Sequence, residues 1–523
     1  MPSTQGSLVA SLAMPGCFLV LMTLLTGCAG GLPPVAHSGV EETVQNEDSF
    51  LLSQSRQRLA GNDGQSGFYM LDSGQEAFLS RAALIAAAEH SIDAQYYIWS
   101  NDPSGRYLAG RMLLAADRGV RVRLLLDDFN AGGIGELLAA LDTHPGIQVR
   151  IFNPARSRGG WGRWVSFLMD FDRINRRMHN KTFVVDGAAG IVGGRNIGDE
   201  YFGFAADRYF RDRDVLALGP VVDGMTDNFH VYWNNRWAYP VSALYPDVPA
   251  EGDVAAALDG LRRQARTQAG LPVPAPADTA QGRAELTGLL DQLTVAPGEL
   301  VFDSPFETME EPAETPKRSA KALQQLAQSA TREILIESAY LILTGEQLKL
   351  LDLGDRQGLQ VAALTNSLAT NDLVTNHAGY ARWRSYMLGQ GIEIYELKPD
   401  AQACQQWLNT DGFCSTGQVS LHSKSVVFDR STLVVGSFNV NLRSIYLNGE
   451  TVLIIHSAEL AKEVAQDIRS VMHPRNSWEV SLDDSGDLQW RSGEASYTSE
   501  PTVGWWRRAK SRFLSWLPVE KYL

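Results

Sequence analysis

Met178-His179-Asn180-Lys181-Thr182-Phe183-Val184-Val185-Asp186 and Leu421-His422-Ser423-Lys424-Ser425-Val426-Val427-Phe428-Asp429 are two copies of one pattern, H-x-K-x-x-x-x-D, in a single chain of 523 residues. In extended backbone a His and a Lys two positions apart project from the same face, so each copy aims one imidazole and one ammonium at one point. The apolar run behind each pair reads as a strand held in a core. Downstream, Gly193-Gly194-Arg195-Asn196 and Gly436-Ser437-Phe438-Asn439 place an Asn at the same distance from each His (179 to 196, 422 to 439). A lone copy would read as a core histidine beside a surface lysine. Two copies with matched Gly and Asn point to catalysis and to a chain of two similar halves.

The segments ahead of the motifs repeat as well. A helix over about 75–89, a strand over 92–99, a helix around 108–118 and strands over 120–126 and 148–152 precede the first motif. A helix over about 318–331, strands over 334–338 and 359–364, a helix near 377–388 and a strand over 392–395 precede the second. The intervals from Ile92 to His179 and from Ile334 to His422 differ by a single position. Strands alternating with helices predict an α/β fold of two similar units, packed so that their equivalent strands meet, each sheet covered on both faces. The predicted boundaries are 66–245 for the first half, 246–300 for a connection, 301–475 for the second half and 476–523 for a C-terminal extension. Within the connection, Pro272-Val273-Pro274-Ala275-Pro276-Ala277 predicts an extended surface loop.

Two histidines facing each other across a phosphodiester can split one hard displacement into two easier ones. One imidazole attacks phosphorus; the other protonates the leaving oxygen and then deprotonates the incoming alcohol. Lys181, Lys424, Asn196 and Asn439 are the candidates to bind the phosphoryl oxygens and stabilise developing charge. No metal or other cofactor is expected. An ammonium beside each His is poor ligand chemistry, and the chain has neither a G-x-x-x-x-G-K-[ST] loop nor a convincing dinucleotide fingerprint.

Asn175-Arg176-Arg177-Met178-His179-Asn180-Lys181, the run Gly193 to Phe202 and Trp516-Leu517-Pro518-Val519-Glu520 carry a resemblance that can be named. From about residue 66 to 523 the chain resembles the phospholipase D superfamily, in particular bacterial cardiolipin synthases of the lipoprotein-like C type, which implies two α/β units side by side with one active site at their junction. The resemblance implies a phosphatidyltransferase that makes cardiolipin from phosphatidylglycerol and a second phosphatidyl lipid, phosphatidylethanolamine being one candidate, through a phosphohistidine. It suggests His179 as nucleophile and His422 as acid/base, although the two motifs are equivalent by residue type. It also implies carboxylates that orient the imidazoles, for which Glu450 and Asp214 are the candidates. Asp186 and Asp429 complete the catalytic motifs but fall at the far strand ends, where they are expected to support the fold. Hydrolysis of phospholipids to phosphatidic acid, or a nuclease reaction, would use the same residues.

The termini place the chain at a membrane. Residues 1–27 read as a signal peptide, apolar from about Leu8 and ending in Leu25-Thr26-Gly27-Cys28-Ala29, which resembles a lipobox that leaves a lipidated Cys28. No Lys or Arg precedes its apolar core. Residues 28–65 read as a polar tether, and the expected location is the bacterial cell envelope, facing the periplasm. There Cys404 and Cys414 could pair across a short loop, or remain free thiols. Arg156 to Arg177 and Trp505 to Leu517 interleave basic and aromatic residues, a composition suited to an anionic membrane surface. The formal net charge of −14 argues against a nucleic-acid partner. Ala29 gives no inner-membrane retention signal of the Asp kind.

Overall fold

The computed structural model describes residues 32–35, 48–131, 133–157, 169–246, 251–267, 271, 280–306, 315–351, 356, 358–408, 413–516 and 520–522. The signal peptide, Cys28, most of the basic aromatic segment after Arg156, and Pro272 to Ala277 lie outside them.

Each half is built on three parallel strands with the motif strand antiparallel beside the first. In the first half Ser91–Tyr96, Arg121–Asp127 and Ile147–Phe152 run parallel, and Thr182–Val185 pairs Ile92 with Val185. In the second, Glu333–Ser338, Gln360–Asn366 and Ile392–Leu397 run parallel, and Lys424–Phe428 pairs Ile334 with Phe428. These trios extend into sheets of nine and ten strands. Every residue of the two motif strands is buried, as continuous apolar runs require when both sheet faces are covered. Val184, Val192 and Val215 of the first sheet share one core with Val427, Val435 and Leu453 of the second. The halves are therefore joined by packed apolar surface. The matched glycines also have a steric cause: a Cβ on Gly193 would strike Asp214, and one on Gly436 would strike the Thr451 carbonyl.

Two expectations change. The stretch 28–65 is not all tether, because Phe50–Arg58 is a helix capped by Ser49, with Leu51 fully buried in the first core. The connection, where only Pro272 to Ala277 is expected as loop, carries helices and strands of its own. Helix Glu251–Thr267 buries Val254, Leu258, Leu261 and Ala265, one helical face, beside the helix Pro103–Asp117. Strand Thr294–Ala296 then closes one edge of the first sheet, and Gly298–Phe302 closes an edge of the second. The C-terminal extension begins inside a sheet: Ser477–Leu482, Leu488–Ser492 and Ala495–Tyr497 continue the second one. Among the described residues, no helix is long and apolar enough to cross a membrane.

Candidate active site

The histidines sit just ahead of the motif strands rather than within them. Each is held by backbone of the opposite half. The His179 N–H donates to the Gly449 carbonyl (2.8 Å), and the Gly449 N–H donates to the Arg177 carbonyl (2.8 Å). The His422 N–H donates to the Arg211 carbonyl (2.7 Å), where Arg208–Arg211 and Gln418–Leu421 form a short parallel pair between the halves. Both imidazoles thereby reach one cavity of about 530 Å³, within the range of small-ligand sites.

The orienting carboxylates are crossed between the halves. His179 Nδ1 lies 2.8 Å from Glu450 Oε2, and His422 Nδ1 lies 2.5 Å from Asp212 Oδ2. Glu450 is fixed in turn by donation from Ser437 Oγ (2.5 Å), Ser444 Oγ (2.7 Å) and Asn448 Nδ2 (3.1 Å). Asp214 does not take the predicted role. Its carboxylate accepts from Arg81 Nη2 (2.8 Å) and the Arg195 N–H (3.2 Å), inside the first half. The sheet register explains why: Gly193 pairs with Asp214 and Gly436 with Val452, so the partner of Glu450 in the repeat is the residue two before Asp214. The sequence Arg211-Asp212-Arg213-Asp214 offered both acids, and counting from the His could not separate them.

With Nδ1 of each ring on a carboxylate, Nε2 is the atom left for a substrate. Burial is the main reason both imidazoles are pushed down to about 4, and the neighbouring ammonium groups add to it. Lys181 is pushed down to about 7, chiefly by burial and then by Lys424. Lys424 is lowered by burial. Burial alone would raise Glu450, but His179, Lys181 and Ser437 hold it down to about 2. These shifts favour neutral imidazoles beside ionised carboxylates. Each ammonium donates to the carbonyl of its own motif's His, at 2.6 Å for Lys181.

Asn196 and Asn439 both line the cavity. Asn196 accepts from the Ile98 N–H (3.1 Å) and donates to the Tyr201 hydroxyl (3.0 Å), whereas Asn439 Oδ1 is buried without a hydrogen-bond partner among the described residues. Sequence reading missed Tyr97 and Tyr201, whose rings meet His179 and His422 edge-on at 4.9 and 5.2 Å. It also missed Arg443, on the cavity wall. Asp186 and Asp429 are remote from the cavity. Asp186 accepts the N–H groups of Glu89, His90 and Ser91, and Asp429 those of Thr331, Arg332 and Glu333. One imidazole and two carboxylates, His377, Glu396 and Glu500, lie close enough to share an ion. Arg384 already donates to both of those acids (2.7 and 2.8 Å), so a cation there would meet a guanidinium.

A family model described as cardiolipin synthase, PLD-like domain, matches residues 82–233 and 323–472, which is more than half of the chain. The chain belongs to this family. It is 39% identical over 472 residues to cardiolipin synthase C of Escherichia coli (strain K12), covering 87% of this chain and 96% of that one. It is 27% identical over 407 residues to cardiolipin synthase of Geobacillus kaustophilus (strain HTA426), covering 76% and 64%. Phosphatidylserine synthase of Haemophilus influenzae Rd KW20 shares the fold, with a TM-score of 0.55 at 13% identity over 90% of this chain and all of that one.

Near the C-terminus this cardiolipin synthase family member carries the helix Trp505–Leu514. Ser511 is its buried position and meets His377 Nδ1 at 3.2 Å. Trp505, Trp506, Phe513 and Trp516 are 62–75% exposed, so the aromatic face is not docked on the protein's own core. Cys404 and Cys414 are disulfide-bonded.

Proposed function

We propose that the protein is a phosphatidyltransferase that makes cardiolipin from phosphatidylglycerol and a second phosphatidyl lipid, the co-product being glycerol when that donor is phosphatidylglycerol too. One observation carries this reading: two histidines share one cavity, and each holds Nδ1 on a carboxylate of the opposite half. His179 Nε2 attacks the donor phosphorus, and the bond to the glycerol headgroup breaks. His422, protonated as the anionic phosphate enters, gives its proton to the departing oxygen. A hydroxyl of the second lipid then loses its proton to His422 and attacks phosphorus, freeing His179 and completing cardiolipin. Lys181, Lys424, Asn196 and Asn439 stabilise the charge that builds on the phosphoryl oxygens.

The acceptor brings a phosphate of its own, and Arg443 suits it. That guanidinium donates only to neutral oxygens, of Asn448, Asn175 and Tyr522, and makes no ion pair among the described residues. Arg507, Arg508, Lys510 and Arg512 beside the exposed aromatics support docking on an anionic membrane surface. The disulfide supports a periplasmic, oxidising location, with Cys28 as the lipid anchor. The test supplies purified protein with phosphatidylglycerol labelled in its headgroup. Cardiolipin and labelled glycerol released in equal amounts support transfer, whereas phosphatidic acid as the product would make the enzyme a hydrolase.

A further inference from the structure

The second half holds an apolar pocket of about 120 Å³, partly open to the surface, that the reaction described above leaves unused. Its floor is the sheet face around Ile334, Ile336 and Val361, and its roof is the helix Arg318–Ser329. Its remaining wall is the segment 438–446. Phe438, Val440 and Ile445 of that segment face this cavity, while Asn439, Asn441 and Arg443 face the catalytic one. The two cavities share a wall, apolar on one side and polar on the other.

The repeat shows why this space is empty. Asp186 and Asp429 accept from equivalent backbone positions, Glu89 to Ser91 and Thr331 to Glu333. Counting back from them sets Phe78 of the helix Gly74–Ala87 against Ala320, and Ile85 against Ala327. In the first half Phe78 is fully buried against Tyr107, Phe202 and Phe204, and Ile85 is buried as well. The second half carries alanine at both places, and both alanines line the cavity. Interiors are normally close-packed, and an apolar pocket left by missing side chains favours apolar guests.

We propose that this pocket receives the terminal segment of one acyl chain of a phospholipid whose headgroup occupies the catalytic site. The proposal rests on the reading of the substrates as phospholipids. Gln347 Nε2 donates to the Tyr446 hydroxyl (3.1 Å), a polar pair on an otherwise apolar lining. The chain lies along the far side of the wall that carries Asn439, and so positions the phosphodiester from behind.

The test uses the full chain and phosphatidylglycerol carrying a photoactivatable diazirine near the end of one acyl chain. After irradiation, label is expected in the peptides that contain Arg318–Ser329 and 438–446. It is expected to fall at least tenfold in the double variant Ala320→Phe, Ala327→Ile, which restores the first half's side chains. The same variant is expected to lower the ratio of turnover on dioleoyl to dihexanoyl phosphatidylglycerol by tenfold or more. Label found only elsewhere, or unchanged label and ratio in a cooperatively folded variant, overturns the proposal. Should the double variant fail to fold, the label map of the unmodified protein and the milder Ala320→Leu decide between the same outcomes. Labelling needs no turnover. A protein labelled in this cavity that makes no cardiolipin therefore overturns the proposed reaction and not the acyl site, and cardiolipin made with label elsewhere does the reverse.

Discussion

Asp212→Asn and Asp214→Asn are expected to fail in different ways, although the two residues are separated by one arginine. Asp212 Oδ2 lies 2.5 Å from His422 Nδ1 and is fully buried. Replacing it with an amide removes the charge that stabilises His422 when that ring carries a proton. Two unit charges about 4 Å apart at an effective dielectric near 20 interact by ~4 kcal/mol. A charge-assisted hydrogen bond is worth roughly 1.5–3 kcal/mol and describes part of the same interaction, so the two are not added. A loss of about 3–4 kcal/mol corresponds to roughly 10²–10³ in the step that needs the protonated ring. Asp214 instead pairs with Arg81 and Arg195 in the first core, away from both imidazoles. Breaking a buried pair by removing one partner costs about 3–5 kcal/mol of stability. Turnover of phosphatidylglycerol in mixed micelles and thermal melting should be read on both variants. Asp212→Asn is expected to keep its melting temperature within a few degrees and lose kcat; Asp214→Asn is expected to lose melting temperature first. Full activity in folded Asp212→Asn, with a specific loss of kcat in stable Asp214→Asn, would refute the assignment.

Other consequences are equally direct. Lys181 is lowered to about 7, so kcat/KM is expected to fall as pH rises through 7 in the free enzyme, and Lys181→Arg is expected to move that limb to higher pH. His179 and His422, lowered to about 4 from 6.5, bind protons in the unfolded chain before they do in the folded one. Stability is therefore expected to rise with pH between about 4 and 6.5, and denaturant titrations of His422→Asn should show a shallower slope there. Asp186→Ala is expected to cost about 1–3 kcal/mol of stability by orphaning three backbone donors, with kcat of the remaining folded protein little changed. Reducing the Cys404–Cys414 bridge, which spans a separation of 10, is expected to cost roughly 2–3 kcal/mol on chain-entropy grounds, read as a fall in melting temperature.

Much of this architecture was legible because it is written twice. The motif strands, the parallel trios and the Gly–Asn turns recur at matched intervals, and the register of each sheet follows from the same apolar pattern. The pairing of carboxylate with imidazole was not legible, because the segment from Asn196 to Asp212 is longer than that from Asn439 to Glu450. Equal counting along the chain therefore misses a residue that the sheet register identifies. Nothing in local sequence announces that each acid serves the other half's histidine, since that contact depends on how the units dock. The helix Glu251–Thr267 did leave a signal, apolar residues at 254, 258, 261 and 265, but nothing in the sequence says which surface that face meets. Arg443 is unremarkable in sequence, and only the folded cavity sets it facing the histidines.

The most direct test of phosphatidyl transfer through the paired motifs is the lipid profile of bacterial membranes lacking cardiolipin, supplied with this protein or with its His179→Ala form. Cardiolipin restored by the intact protein and not by His179→Ala is the predicted result. Phosphatidic acid in its place, or cardiolipin restored equally by both forms, would contradict it.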